Sequence, residues 1–177
     1  MKKKIFTLLL AVAVSVGTLF AERVQIGDLY YLLDTIHQSA TVISPTDTIS
    51  HYKFTPNTTI HIPDSVSYNH ITYSVTDIGW SAFFEYKDLS VITLPDNLQH
   101  ISPFAFVGCS GLTSIKIPQS VKEIGEGAFA CCDALSKVEL PSSVTEIAAY
   151  AFSKCASLEK INLPQGLTII REQTFFG

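Results

Sequence analysis

Leu112-Thr113-Ser114-Ile115-Lys116-Ile117-Pro118-Gln119-Ser120-Val121-Lys122-Glu123-Ile124-Gly125-Glu126-Gly127-Ala128-Phe129-Ala130-Cys131-Cys132 is one unit of a sequence that repeats. Around it, Pro95, Pro118, Pro141 and Pro164 recur every 23 residues. Ala-Phe pairs keep the same beat at Ala82-Phe83, Ala105-Phe106, Ala128-Phe129 and Ala151-Phe152, with Thr174-Phe175 as a degenerate fifth. A fixed period of about 20–50 residues marks a solenoid, in which a coil cannot bury its apolar face alone and stacks on its neighbours. The chain reads as a scaffold that presents a surface.

Within the unit, one apolar column is Leu89, Leu112, Leu135 and Leu158. Two more, Ile92/Ile115/Val138/Ile161 and Leu94/Ile117/Leu140/Leu163, alternate with polar residues. Alternation at period two predicts a strand with one buried face, and the following proline, lacking an N–H, ends it. A second apolar pair, Leu98/Ile101, Val121/Ile124, Val144/Ile147 and Leu167/Ile170, is spaced by three and fits a tight bend or a short second strand. The alanine allows close approach of coils. The column Phe83, Phe106, Phe129, Phe152 and Phe175 should stack as an aromatic spine at about 4.8 Å per coil.

These columns, seen most completely from Leu112 to Cys132, resemble the BspA-like class of leucine-rich repeat, over residues 60–177. The resemblance implies a mostly β repeat solenoid of 23-residue coils, short helical turns on its convex side and a β-rich N-terminal cap. It also implies a secreted or cell-surface protein of a host-associated bacterium that binds a host or bacterial surface protein or glycan. Proline stands where other leucine-rich repeats carry asparagine, so no asparagine ladder is expected.

The first coil departs from the unit by nine extra residues. Val66, Tyr68, Ile71 and Tyr73 flank Asn69-His70 and predict a β-hairpin, asparagine being tolerated at positive φ. Residues 22–59 lack the stride. Leu29 to Leu33 and Ala40 to Ile43 read as short strands, and Ser44 to Thr48 as a loop. The expected organisation is a leader over residues 1–21, a β cap over 22–59 and a solenoid of about five coils over 60–177. Phe175-Phe176-Gly177 falls inside a repeat with no polar capping coil, as expected of a truncated product, a fragment or a piece that needs a partner.

Lys2-Lys3-Lys4 followed by the apolar run Ile5 to Val16, with cleavage most simply after Ala21, has the layout of a secretory signal peptide. Its removal leaves nine basic against sixteen acidic side chains, a net charge of −7. Such a chain has no electrostatic footprint for nucleic acid, and no later apolar run reaches the roughly 18 residues of a membrane span.

Candidate chemistry is sparse. Cys109, Cys132 and Cys155 form one column, expected as buried free thiols, with a disulfide from Cys131 to Cys109 or Cys155 as the alternative. No Cys-x-x-Cys or His-Glu-x-x-His occurs, and no metal or cofactor site is expected. The histidines (His37, His51, His61, His70 and His100) read as surface residues. Asp77, His100, Glu123 and Glu146 share a column, read as a solvated stripe rather than a catalytic or calcium-binding pair. Asn57-Thr58-Thr59 fits a glycosylation sequon.

The outward positions of successive strands, Val91/Thr93, Ser114/Lys116, Lys137/Glu139 and Lys160/Asn162, should form one strip. From these, Thr93, Ser114, Lys116, Lys137, Glu139, Lys160 and Asn162 are the expected ligand-binding residues, with no catalytic residue. The hairpin carrying Tyr68 and His70 is the next candidate. Two other readings stand beside binding: a structural fragment of a larger surface protein, and a β-helix polysaccharide-active enzyme.

Overall fold

The computed structural model describes residues 21–45 and 58–177. The leader, His51 and Asn57 of the sequon therefore lie outside the described residues, apart from Ala21.

The stride becomes two ladders. One is a row of three-residue strands in two separate parallel pairs: β4 (Thr59–His61) with β7 (Val91–Thr93), and β9 (Ser114–Lys116) with β11 (Lys137–Glu139). Each shows the exposed–buried–exposed pattern that period two dictates, with Ile60, Ile92, Ile115 and Val138 inward. The other ladder is made of two-residue strands, β8 (His100–Ile101), β10 (Glu123–Ile124), β12 (Glu146–Ile147) and β13 (Ile169–Ile170). These continue in parallel from β6 (Ile71–Ile78). Ile78, Ile101, Ile124 and Ile147 point into the core between the ladders.

Three antiparallel and parallel pairings close the N-terminal side. β1 (Ala21–Ile26) and β2 (Leu29–Asp34) form a hairpin, β2 pairs with β3 (Ser39–Ile43), and β3 lies parallel to β6 with a register shift after Ala40. Leu29, Tyr31 and Leu33 alternate inward along β2, which is why these strands cover the first coil. Strand β1, beginning at the residue expected to end the leader, has no counterpart in the sequence reading.

The insertion is a hairpin: β5 (Ser65–Tyr68) pairs with the start of β6, Tyr68 opposite Ile71. Asn69 (φ 48°) and His70 (φ 66°) are both left-handed, the requirement of the two-residue turn whose twist matches the strands.

The expected convex-side helical turns are absent from the described residues, which contain no helix. The reason lies in where the N–H groups go. Ala82, Phe84 and Tyr86 donate within their own coil, to residues three back (3.2 Å each), while Ser81, Phe83 and Glu85 donate to Pro103, Ala105 and Val107 of the next coil (3.4, 2.7 and 2.6 Å). A helix would need every N–H for itself. The alternation recurs from coil to coil, as in Phe106 to Ala128 and Phe129 to Ala151 (2.8 Å each). It also sets the backbone: one left-handed column is Ser81, Phe104, Gly127, Tyr150 and Gln173, and another is Glu85, Gly108, Cys131 and Lys154.

The phenylalanine spine forms as expected. Ring centroids from Phe83 to Phe175 are 5.1, 5.1, 5.4 and 5.8 Å apart, with planes within 7° of parallel. These distances are slightly wider than the expected strand spacing of about 4.8 Å and lie within the range of aromatic contact. Phe83, Phe106 and Phe129 are fully buried, whereas Phe175 is 42% exposed.

Candidate binding surface

Thr93, Ser114, Lys116, Lys137 and Glu139 all face solvent from the three-residue strands. The register places Ser114 opposite Lys137 and Lys116 opposite Glu139. Lys137 Nζ meets Glu139 Oε1 at 2.5 Å across one strand face. That hydrogen bond, the charge of Lys137 and then that of Lys116 hold the Glu139 carboxyl below the usual carboxylate range. Lys160 and Asn162 are exposed too, but residues 158–163 form no strand. Leu158 and Ile161 are only half-buried there and Leu163 is 47% exposed, so the apolar contact that flattens the earlier strands is weaker. Lys160 and Asn162 nevertheless join Lys137, Val138, Glu139 and Leu140 around a shallow hollow of about 360 Å³. Three lysines and one glutamate give this end of the strip a positive balance on an otherwise acidic chain.

The opposite ladder is differently charged. His100 Nδ1 lies 2.8 Å from Asp77 Oδ1, and Glu123 stands opposite Glu146. Arg171 bonds Glu146 Oε1 through Nε and Nη2, each at 2.7 Å, so the carboxylate pair is tied to a cation one coil on. Among the described residues, no three His, Cys, Asp or Glu side chains come together as metal ligands would.

All four cysteines are free. The column thiols donate to main-chain carbonyls: Cys109 to Phe83 (3.1 Å), Cys132 to Phe106 (3.2 Å) and Cys155 to Phe129 (3.1 Å). Burial pushes Cys109 up to about 12 and Cys155 to about 11, and Cys132 higher still. Cys131 is half-buried on the left-handed column. Tyr68, expected as exposed on the hairpin, is part-buried and donates to Glu22 Oε1 at 2.8 Å; this bond raises its pKa. The hairpin thus leans on β1 and leaves Asn69, His70 and Ile71 exposed at its tip.

The family described as BspA type leucine-rich repeat region matches residues 48–177, in six copies. The chain belongs to the BspA-type leucine-rich repeat family. Its fold is similar to that of a leucine-rich repeat protein from Bacteroides ovatus, at 32% identity and a TM-score of 0.75, covering 85% of this chain and 38% of that one. The pneumococcal vaccine antigen PcpA (22% identity, TM-score 0.65, 90% of this chain and 48% of that one) shares the fold. So does the leucine-rich repeat protein of T. pallidum (22%, 0.60, 82% and 81%). No curated protein matches. The BspA-type chain spans 38% of the Bacteroides ovatus protein's length.

Proposed function

We propose that this BspA-type repeat is a binding module of an exported or cell-surface protein, and that the strip from Thr93 to Asn162 is its recognition surface. The observation that carries the reading is the hollow at Lys137, Glu139, Lys160 and Asn162, where neighbouring coils contribute one continuous polar patch. Parallel stacking repeats such a patch without any special loop, the way solenoids build recognition surfaces. Exposed charges of this kind govern association rate and salt dependence, so affinity per module is modest and rises with copy number. The ligand class is a host or bacterial surface protein or a glycan.

Matrix-protein and glycan arrays test this, comparing the native chain with Lys116→Glu/Lys137→Glu/Lys160→Glu. Loss of ligands in the variant supports the strip. A folded variant that keeps every native ligand overturns it. The coverage of the Bacteroides ovatus protein also favours a second reading, a structural segment of a larger surface protein, for which the native chain captures nothing on either array.

A further inference from the structure

We propose a second binding site, distinct from the strip: Phe104 and Tyr150 form an aromatic row that stacks an extended, uncharged β-linked polysaccharide along the solenoid axis, with Trp80, perpendicular to Phe104, as a wall at its end. The row follows the second ladder into the turns, away from the lysine-bearing strands. Trp80 is 56% and Tyr150 37% exposed, and Phe104 is half-buried. Trp80 meets Phe104 edge-to-face at 6.5 Å and 85°.

The backbone there is unfavourable to aromatic residues. Phe104 (φ 59°) and Tyr150 (φ 60°) sit in the left-handed column, where Ser81, Gly127 and Gln173 serve in other coils. Bulky side chains are outliers in that region, and such strain concentrates at binding sites. The fold needs the left-handed turn, but it does not need an aromatic ring on it. Gly127 between them completes the arrangement: a Cβ there would lie 2.8 Å from the Phe104 ring, so glycine makes the seat that the ring occupies. Inter-coil bonds from Phe104 N to Glu126 O (2.8 Å) and from Tyr150 N to Glu172 O (3.4 Å) hold both positions to the coil spacing.

Spacing and polarity point to the ligand. Phe104 and Tyr150 are two coils apart, about 10 Å at ~4.8 Å per coil, a span matched by two pyranose rings of an extended β-linked chain. Sugars present apolar C–H faces to rings and hydroxyl donors to the sides. Glu126, which lies in sequence beside Gly127, and Glu172 and Gln173 beyond Tyr150 are exposed acceptors for those hydroxyls. The same carboxylates repel anionic polymers, which selects an uncharged one.

Trp80 is the chain's single tryptophan, so its fluorescence reports the site directly. The native chain is titrated with cellohexaose, with xylohexaose and, as the competing class, with a proline decamer. A saturable change in emission with a hexasaccharide is expected, weakened at least tenfold in Phe104→Ser/Tyr150→Ser. Serine already occupies the column at Ser81, so this variant keeps the turn, and circular dichroism verifies that it folds. Calorimetry of Trp80→Glu, a residue native to that column at Glu126 and Glu172, should show the same loss. The Lys116/Lys137/Lys160→Glu chain should bind the hexasaccharide unchanged, which separates this site from the strip. No response to either sugar at millimolar concentration, a response to the proline decamer alone, or full binding by the serine variant overturns the proposal.

Discussion

The thiol of Cys132 donates to the carbonyl oxygen of Phe106, 26 residues earlier, at 3.2 Å. A buried donor is thereby satisfied and a carbonyl of the turn array gains a second partner, which makes the cysteine column part of the coil-to-coil contact. Burial keeps these thiols protonated: Cys109 is held at about 12 against an ordinary 9.0. Between those values the unfolded chain has lost the proton and the folded chain retains it. The stability conferred is therefore complete below about pH 9 and is lost as pH rises towards 12. The unfolding free energy read from denaturant titrations should fall above pH 9 by about 1.4 kcal/mol per pH unit for each buried thiol. Cys109→Ala/Cys132→Ala, less stable at pH 7, should show a shallower alkaline decline.

Alkylation without denaturant should label Cys131 first, then Cys155, and leave Cys109 and Cys132 untouched, since the last two are fully buried. Peptide mass mapping reads the order. Labelling of Cys132 at the rate of Cys131 would mean that the coils open readily.

Phe129→Ala removes a fully buried ring stacked between Phe106 and Phe152. A loss of about 3–5 kcal/mol in chemical denaturation is expected, with coupling to Phe106→Ala because the rings touch.

Gly125→Ala should destabilise by about 1–3 kcal/mol. The added Cβ would sit 2.5 Å from the Ile101 carbonyl oxygen and 2.8 Å from Pro103 N, both main-chain atoms that cannot swing aside. Ala148 occupies the same column one coil on, so Ala148→Gly should not give a matching gain. Thermal melts of the two variants test the asymmetry.

His70→Gly should stabilise the hairpin by about 0.5–1 kcal/mol, because His70 holds φ 66° where glycine has no steric cost. Melting temperature, together with the amide exchange of Ser65 to Tyr73, reads this out.

Exchange across the whole chain should be slowest from Ile92 to Leu140 and fast after Leu163. Leu163, Ile170 and Phe175 are all more than a third exposed, while their counterparts Ile117, Ile124 and Phe129 in the central coils are buried.

The stride made the coils legible because a column recurs from coil to coil: Ile101, Ile124 and Ile147 could be read inward before any geometry was known, although Ile170 of the same column is exposed. Asn69-His70 gave the hairpin for the same kind of reason, a local chemical need. The turn array was not legible. Its left-handed positions carry Ser, Phe, Gly, Tyr and Gln in turn, so no residue type marks them; only the destination of each N–H does. The helical turns failed on that point. The aromatic row was hidden similarly, since Phe104 and Tyr150 stand in a column whose other members are not aromatic, and Trp80, one place out of step, meets Phe104 only when coils stack. The expected strand at Lys160 to Asn162 failed because alternation says nothing of how well Leu158 and Ile161 are covered.

The alternating donors of the turn array have an electrical consequence. The peptide units Ala82–Phe83, Ala105–Phe106, Ala128–Phe129, Ala151–Phe152 and Thr174–Phe175 are joined head to tail, each N–H meeting the carbonyl of the next. Two further rows, through Ser81 and through Glu85, run in the same sense. In these three rows the positive pole lies towards the last coil, whereas the rows from Ser102, Gly125, Ala148 and Arg171 to Ile78, Ile101, Ile124 and Ile147, and from Thr145 and Thr168 to Lys122 and Thr145, donate the other way. The turn array thus lines one side of the solenoid with amides of one sense and the second ladder answers with the opposite sense, so the axial dipoles offset one another while the amides within each row strengthen their neighbours.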